Sequence, residues 1–471
     1  MVNLTVIGKN SQIVCDSDTL DLIRDNFSVP NPAKRSGSNR FIPARLYVIT
    51  PTGRFESGML KKIISFLESE RIQYTIDKKL NDLFDVGFKN VPDKLIGFNI
   101  YDYIYYQEEA IKTCLEQGRG VVLLPTAAGK TLTCAGLIEN FKALKKKNDF
   151  FTIVIVPSIQ LVEQTANDFI EYGIENVRKW SGKNSVDISE RGVIVTNTQN
   201  LLSKNTDLSF LSDVDLIIID EIHGVRKANS INDIFKFIKT ENIFGFTGTL
   251  PVELIDQWNI IGRVGPILYE KKGYEIETNL SAFSVYILKF KAEKRTFKKN
   301  KDKPLEAYQN EVEYLVKNPR RNEVIKNLAI KLGTNTIVMV ERIEHGEELE
   351  RLIKNGTDKP VFFIHGNVDM EERERIRELM DKNNDIIIVA ISKIFSTGIN
   401  IPNLRNIIFA STGKAKIRIM QTIGRALRKH PTKSMAYIFD IADNTTYGSQ
   451  HLQQRKLLYI NEKYTVIEKD I

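Results

Sequence analysis

The sequence predicts two doubly wound α/β domains in tandem, preceded by a small α+β module. Three observations carry that reading. Two series of five short apolar runs recur along the chain, each β-branched-rich and followed by a longer amphipathic or charged segment. Such runs with helical spacers are the pattern of strands buried on both faces of a parallel sheet. Residues 1–95 lack that rhythm and mix short strand-like and helix-like stretches. The length of 471 residues suits roughly three domains at ~150 residues each.

In chain order, the module (1–95) has strand-like 4–7, helix-like 19–27, strand-like 46–49 and a helix over 58–71. Between 34 and 54 it carries five basic residues and no acid, with Phe41, Tyr47 and Phe55 interleaved. Two readings stand: an ordinary β-rich surface, or phosphate contact with base stacking. On the second reading Arg40, Arg45 and Arg54 are candidate DNA contacts. Runs at 121–124, 153–156, 193–195, 216–219 and 243–246 define the first α/β domain, 96–280. Runs at 336–340, 361–364, 386–389, 407–410 and 436–439 define the second, 281–445. Ligands are expected at the carboxyl ends of the strands. The segment 289–303 holds eight basic and two acidic residues, and reads either as a solvated linker or as a loop lying on phosphates. Residues 446–471, with Leu452, Leu457, Leu458 and Ile460, read as a helical tail on the second domain.

Composition excludes several classes. At 42% hydrophobic the chain is not disordered. A formal charge of +8 permits a nucleic-acid partner without demanding one. No apolar run reaches the ~18 residues a membrane span needs. Cys15, Cys114 and Cys134 form no C-x-x-C pair and the five histidines no ligand spacing. A disulfide framework and a resident metal knuckle are therefore not expected, and a reducing, cytoplasmic setting is.

Three motifs carry chemistry. Pro125-Thr126-Ala127-Ala128-Gly129-Lys130-Thr131 directly follows the first run of its domain and precedes a helix pattern over 132–147. A tight strand-to-helix loop aims backbone N–H groups and the positive end of the helix dipole at one spot. Lys130 would reach the β/γ-phosphates of ATP and the Thr131 hydroxyl would hold Mg²⁺. The full phosphate-loop pattern has Gly five positions before Gly129, where this chain has Leu124. Next, the run 216–219 ends in Asp220-Glu221-Ile222-His223. Two adjacent carboxylates at a buried strand end repel each other, a conflict that a bound Mg²⁺ resolves. Asp220 would hold the metal and Glu221 would deprotonate the attacking water. His223, beside this dyad, is a candidate coupling residue. Finally, Gln421, Arg425 and Arg428 fall on one helical stripe. That stripe suits arginine fingers that stabilise charge across a cleft.

Together these residues resemble the superfamily 2 helicases, whose motor is two RecA-like domains. The likeness spans about 101–443, with the motifs in the family's order. It implies a nucleotide site of Tyr106, Gln107, Thr126, Ala127, Ala128, Gly129, Lys130, Thr131, Gly398 and Asn400, with Tyr106-Gln107 as the adenine-reading Q motif. Val156-Pro157-Ser158 with Gln164-Thr165 is similar to motif Ia, and Ser396-Thr397-Gly398-Ile399-Asn400 to motif V. The implied DNA contacts are Pro157, Gln164, Thr165, Thr196, Gln199, Ser392 and Thr397. Thr247-Gly248-Thr249 resembles motif III, so Thr247 and Thr249 join His223 in coupling ATP to nucleic acid. DEIH in place of DEAD, and TGT in place of SAT, point away from the DEAD-box RNA helicases. More finely, 338–349, 365–369, 395–399 and 421–430 resemble the UvsW-type phage recombination helicases. That likeness implies action on forks, Holliday junctions and displacement loops, 3′ to 5′ translocation, a monomer, and host cytoplasm.

Overall fold

The structure is a computed structural model. It describes residues 1–7, 10–31, 34, 42–82, 86–99, 101–125, 128–147, 149–182, 186–203, 206–225, 230–272, 275, 282–293, 304–392, 403–411, 435–461 and 464–471. Arg40, Thr126, Ala127, Thr397, Gly398, Asn400, Gln421, Arg425, Arg428 and most of the basic segment 289–303 lie outside the described residues. The chain divides into two compact units, the first ending at Lys271 and the second running from Lys272.

The N-terminal module contains β1 (Val2–Ile7), β2 (Asn10–Val14), α1 (Ser17–Asn26), β3 (Ser28–Pro30), β4 (Arg45–Tyr47), β5 (Arg54–Phe55), α2 (Leu60–Ser69), β6 (Tyr74–Ile76) and α3 (Lys78–Asp82). Its main sheet has the order β5-β2-β1-β6, with β1 and β6 parallel and the other pairs antiparallel. Leu4, Ile13, Ile23, Phe55, Met59 and Ile63 form its core.

The rest of the first unit contains α4 (Tyr105–Gln117), β7 (Gly120–Leu123), α5 (Lys130–Lys145), β8 (Phe151–Val156), α6 (Ile159–Tyr172), β9 (Val177–Trp180), β10 (Gly192–Asn197), α7 (Thr198–Leu201), β11 (Leu216–Asp220), β12 (Ile243–Thr247), α8 (Leu254–Val264) and β13 (Ile267–Glu270). Among the described residues its sheet has seven strands, all parallel, in the order β13-β7-β12-β11-β8-β10-β9. Helices start and stop where local chemistry says they should. Ser158 caps α6 through Leu161 N, and left-handed glycines end α4 and α6 (Gly118 φ +76°, Gly173 φ +93°).

The second unit contains β14 (Ala282–Phe290), α9 (Pro304–Val316), α10 (Pro319–Lys331), β15 (Thr336–Val340), α11 (Ile343–Lys354), β16 (Val361–Ile364), α12 (Met370–Lys382), β17 (Ile387–Ile391), β18 (Asn406–Phe409), β19 (Met435–Asp443), α13 (Thr446–Asn461) and β20 (Thr465–Asp470). Its seven described strands are also all parallel, in the order β16-β17-β15-β18-β19-β14-β20. All ten apolar runs expected as strands are strands.

Two boundaries differ from expectation. The tail 446–471 is not only helical: after α13 it supplies β20, which pairs along β14 and closes that edge of the sheet. The module is not separate at residue 95. Phe88 packs edge-to-face on Phe141 of α5, centroids 5.0 Å apart, and Asn140 accepts from Ile96 N at 2.8 Å and donates to Ile96 O at 3.0 Å. The aromatic pair thus fastens the stretch before residue 95 to the α/β domain, while the Asn140–Ile96 bonds anchor the start of that domain itself.

Candidate active site

The strand order of the first sheet sorts chemistry along its carboxyl rim. Adjacent strands β7, β12 and β11 deliver the Gly129-Lys130 loop, Thr247 and the Asp220-Glu221 pair to neighbouring positions. Strands β8 and β10 deliver Pro157 and Asn197–Gln199 beside them.

Gly129 stands at φ +72° as the N-cap of α5, and a Cβ there would collide with the Gln107 amide. Only glycine satisfies both demands. Gln107, 2% exposed, donates to Gly129 O at 3.2 Å and accepts from Ile104 N at 2.9 Å. Its amide therefore ties the start of α4 to the phosphate loop. Lys130 Nζ lies 3.4 Å from Leu124 O, so the ammonium is folded back over the loop, in reach of whatever the loop holds.

Asp220 ends β11 half-buried, with its Oδ1 enclosed and lacking a partner among the described residues. Burial and the neighbouring Glu221 push its carboxyl above the usual carboxylate range. Glu221 follows at φ +51°, a left-handed conformation uncommon for a non-glycine residue. Burial works against its charge, but Lys130, His223 and Thr247 hold the carboxylate ionised and low. His223 Nδ1 lies 2.8 Å from Thr247 Oγ1 and 3.0 Å from Glu221 Oε2. Thr247 Oγ1 in turn sits 3.3 Å from Glu221 Oε2 and 3.0 Å from Thr249 O. One hydroxyl proton cannot serve both acceptors. Small shifts of His223 or of the 247–249 turn therefore decide how many hydrogen bonds the Glu221 carboxylate accepts.

Several expected residues sit where they cannot act as expected without rearrangement. Tyr106 is 1% exposed, so its ring is core rather than a platform for a base. The exposed ring at that end of α4 is Tyr105, 50% exposed, with Lys271 Nζ 5.5 Å from its centroid. Thr165, Thr196 and Ser392 are buried, and the Ser392 hydroxyl donates to Val340 O at 3.0 Å. Arg45 is engaged with Ser28 Oγ at 2.7 Å. Pro157, Gln164, Gln199 and Arg54 are exposed as contacts require. Asn197 escaped sequence reasoning: it is fully buried, and neither side-chain atom has a partner among the described residues. No sequence signal distinguishes it.

Residues 100–252 match the family described as type III restriction enzyme, res subunit, and residues 320–430 match the helicase conserved C-terminal domain. The ATP-dependent DNA helicase UvsW of Enterobacteria phage T4 is 28% identical over 98% of this chain and 97% of its own. The chain is a superfamily 2 helicase. This helicase hydrolyses ATP, and its two parallel sheets are the RecA-like domains of that motor. It is also 22% identical to the DNA 3'-5' translocase XPB2 of Sulfurisphaera tokodaii over 79% of this chain and 86% of that one. The fold is shared with Dbp5 of S. cerevisiae bound to RNA and ADP BeF3: TM-score 0.53, 14% identity, 78% of this chain and 89% of that one. No helix among the helicase's described residues is long and apolar enough to cross a membrane.

Proposed function

We propose that this helicase is a DNA motor acting on branched DNA, namely forks, Holliday junctions and displacement loops, in recombination, replication or repair. The observation that carries the reading is the near end-to-end likeness to a protein named as an ATP-dependent DNA helicase. The preference for branches and the 3′ to 5′ direction rest on the finer likeness of 338–349, 365–369, 395–399 and 421–430 to recombination helicases.

In this reading Gly129 and Lys130 bind the ATP phosphates. Thr131 and Asp220 would hold Mg²⁺, which supplies positive charge to the phosphate oxygens when bound. The unpartnered Asp220 Oδ1 fits that role, since a buried carboxylate oxygen otherwise has no reason to go unsatisfied. Glu221 accepts the proton of the attacking water. Gln421, Arg425 and Arg428 are assigned the stabilisation of transition-state charge. Exposed Pro157, Gln164 and Gln199 contact the DNA backbone, so binding tolerates sequence and weakens with salt.

The test is steady-state ATPase with a three-way junction, a linear duplex, a single strand and RNA of matched length. Junction DNA is expected to stimulate most and RNA least; equal stimulation by all four overturns the reading. Lys130→Ala should abolish hydrolysis while junction binding by anisotropy survives, and retained hydrolysis overturns the phosphate-loop assignment. A second reading, a duplex translocase that does not separate strands, is favoured by the XPB2 relative's name. Strand-displacement and triplex-displacement assays run side by side separate the two.

A further inference from the structure

Helix α8 is shared by two cores. Ile260 and Val264 belong to the core of the first RecA-like domain, whereas Ile261 belongs to the core of the N-terminal module. On the module side Trp258 meets Phe27 edge-to-face, centroids 5.8 Å apart. Farther along, backbone meets backbone. A Cβ on Gly58 would strike the carbonyl of Ile261, and one on Gly262 would lie 2.7 Å from Glu56 Cβ. Arg263 pairs with Glu56 at 2.9 Å. Arg119 fastens the end of the helix, donating to Val264 O at 3.0 Å and Arg263 O at 3.1 Å while pairing with Glu241.

The same helix also reaches the two segments that leave the hydrolytic cluster. Gln257 Nε2 donates to Pro251 O at 2.8 Å, in the loop that follows Thr249. Asn259 Nδ2 donates to Val225 O at 3.4 Å, just past His223, and to Asn232 Oδ1 at 3.1 Å. One rigid element of 11 residues, roughly 16 Å long at ~1.5 Å per residue, thus touches the module and both of the turns that position His223 and Thr247.

We propose that α8 is the transmission between the N-terminal module and the hydrolytic carboxylate. A load of DNA on the module shifts α8, α8 shifts the turns after His223 and Thr249, and the hydrogen bonds on Glu221 change. Trp258, Gln257, Asn259 and Arg263 are positioning residues; none touches ATP. The inference rests on the reading that the module takes DNA. The physical warrant is a packed path in which every link is a named contact, and packed interfaces move as bodies rather than deforming smoothly. It makes the module a fixed arm of the first motor domain rather than a tethered anchor.

The test uses the full chain carrying Gln257→Ala and Asn259→Ala together, which leaves both apolar faces of α8 intact. Three readouts are needed: basal ATPase, ATPase at saturating three-way junction, and the junction Kd by anisotropy. The expected result is at least a fivefold fall in the stimulation factor, with basal kcat, the KM for ATP and Kd within twofold of wild type. A Glu56→Gln chain, altered on the module side only, should show the same selective loss. Unchanged stimulation in either chain overturns the proposal. So does a parallel fall of basal and stimulated rates, which marks a merely structural role. Absence of stimulation by any DNA in the wild type is a different failure: it removes the DNA-motor reading, and the transmission with it.

Discussion

At the scale of single residues, the site turns on how a buried carboxylate is kept ready. Glu221 sits in a left-handed backbone conformation with its charge shared among Lys130, His223 and Thr247. Replacing Glu221 by Gln keeps the shape and removes the group proposed as the base. Turnover should fall by roughly 10²–10⁴, while nucleotide binding, read with a fluorescent ATP analogue, persists. Thr247→Val removes only the hydroxyl between His223 and Glu221. About one hydrogen bond to a charged group is lost, so a fall of about tenfold in DNA-stimulated kcat is expected. An unchanged kcat would mean that the 3.3 Å contact does not orient the carboxylate. The placing of Lys130, Asp220 and Glu221 on the carboxyl rim of the sheet was legible because each follows an apolar run that became a parallel strand. Tyr106 was not, because helix phase decides the matter. With α4 starting at Tyr105, the next ring turns inward, and two consecutive tyrosines carry no sign of which one does so. Asn197 was invisible for a related reason, since burial of an amide without partners is a property of packing alone.

At the scale of elements, the second RecA-like domain is pinned by charges inside its core. Arg321 of α10, 1% exposed, makes two bonds to Asp443 of β19 (2.7 and 2.9 Å) and one to Ala410 O at 2.8 Å. Arg455 of α13 grips Asp440 of the same strand (2.7 and 2.8 Å), with Tyr459 completing the set at 3.1 Å. Removing one partner strands a buried charge. Arg321→Met is therefore expected to cost about 3–5 kcal/mol, and adding Asp443→Leu to return much of it, measured by urea unfolding of both variants. On the neighbouring α11, His345 is buried and its Nε2–H donates to Asn322 Oδ1 at 3.0 Å. Burial, with Arg321 nearby, pushes its pKa down from 6.5 to about 3. Below pH 6.5 the unfolded imidazole takes up a proton that the folded one refuses until about pH 3. Stability is therefore lost as pH falls through that window, with a slope approaching about 1.4 kcal/mol per unit. Urea midpoints at pH 7 and 5 should diverge less in His345→Gln than in wild type; equal divergence would exclude the histidine as the cause. The central strands of both sheets were readable from composition, and so was the edge strand β16, whereas the interior strand β14 and the edge strands β9, β13 and β20 were not. Strands β9, β13 and β20 each have one neighbour and carry Arg178, Lys179, Glu270, Glu468 and Lys469, because a strand facing water on one edge does not need a continuous apolar run.

At the scale of the whole molecule, sequence placed a boundary at residue 95 that the contacts do not respect. Composition changes there, but cores are built from side chains that meet, and Ile261 joins the core of Leu4 and Met59 from far along the chain. Excising the module should therefore uncover Trp258 and Ile261, and the position of the cut should matter. A chain starting after residue 82 keeps Phe88 on Phe141 and Ile96 on Asn140; one starting after residue 95 loses the Phe88 contact. An aromatic pair is worth about 0.5–1.5 kcal/mol beyond its buried area, and uncovered apolar surface favours association. In differential scanning fluorimetry the first motor domain should melt highest in the full chain, lower in the chain cut at 82 and lowest in the chain cut at 95. Light scattering should show the two shortened chains associating, and Trp258→Gln with Ile261→Gln should suppress that in the chain cut at 82. Were both shortened chains to melt with the full one and stay monodisperse, Trp258 and Ile261 would not be shared, and the module would be an appendage that the motor can lose without cost.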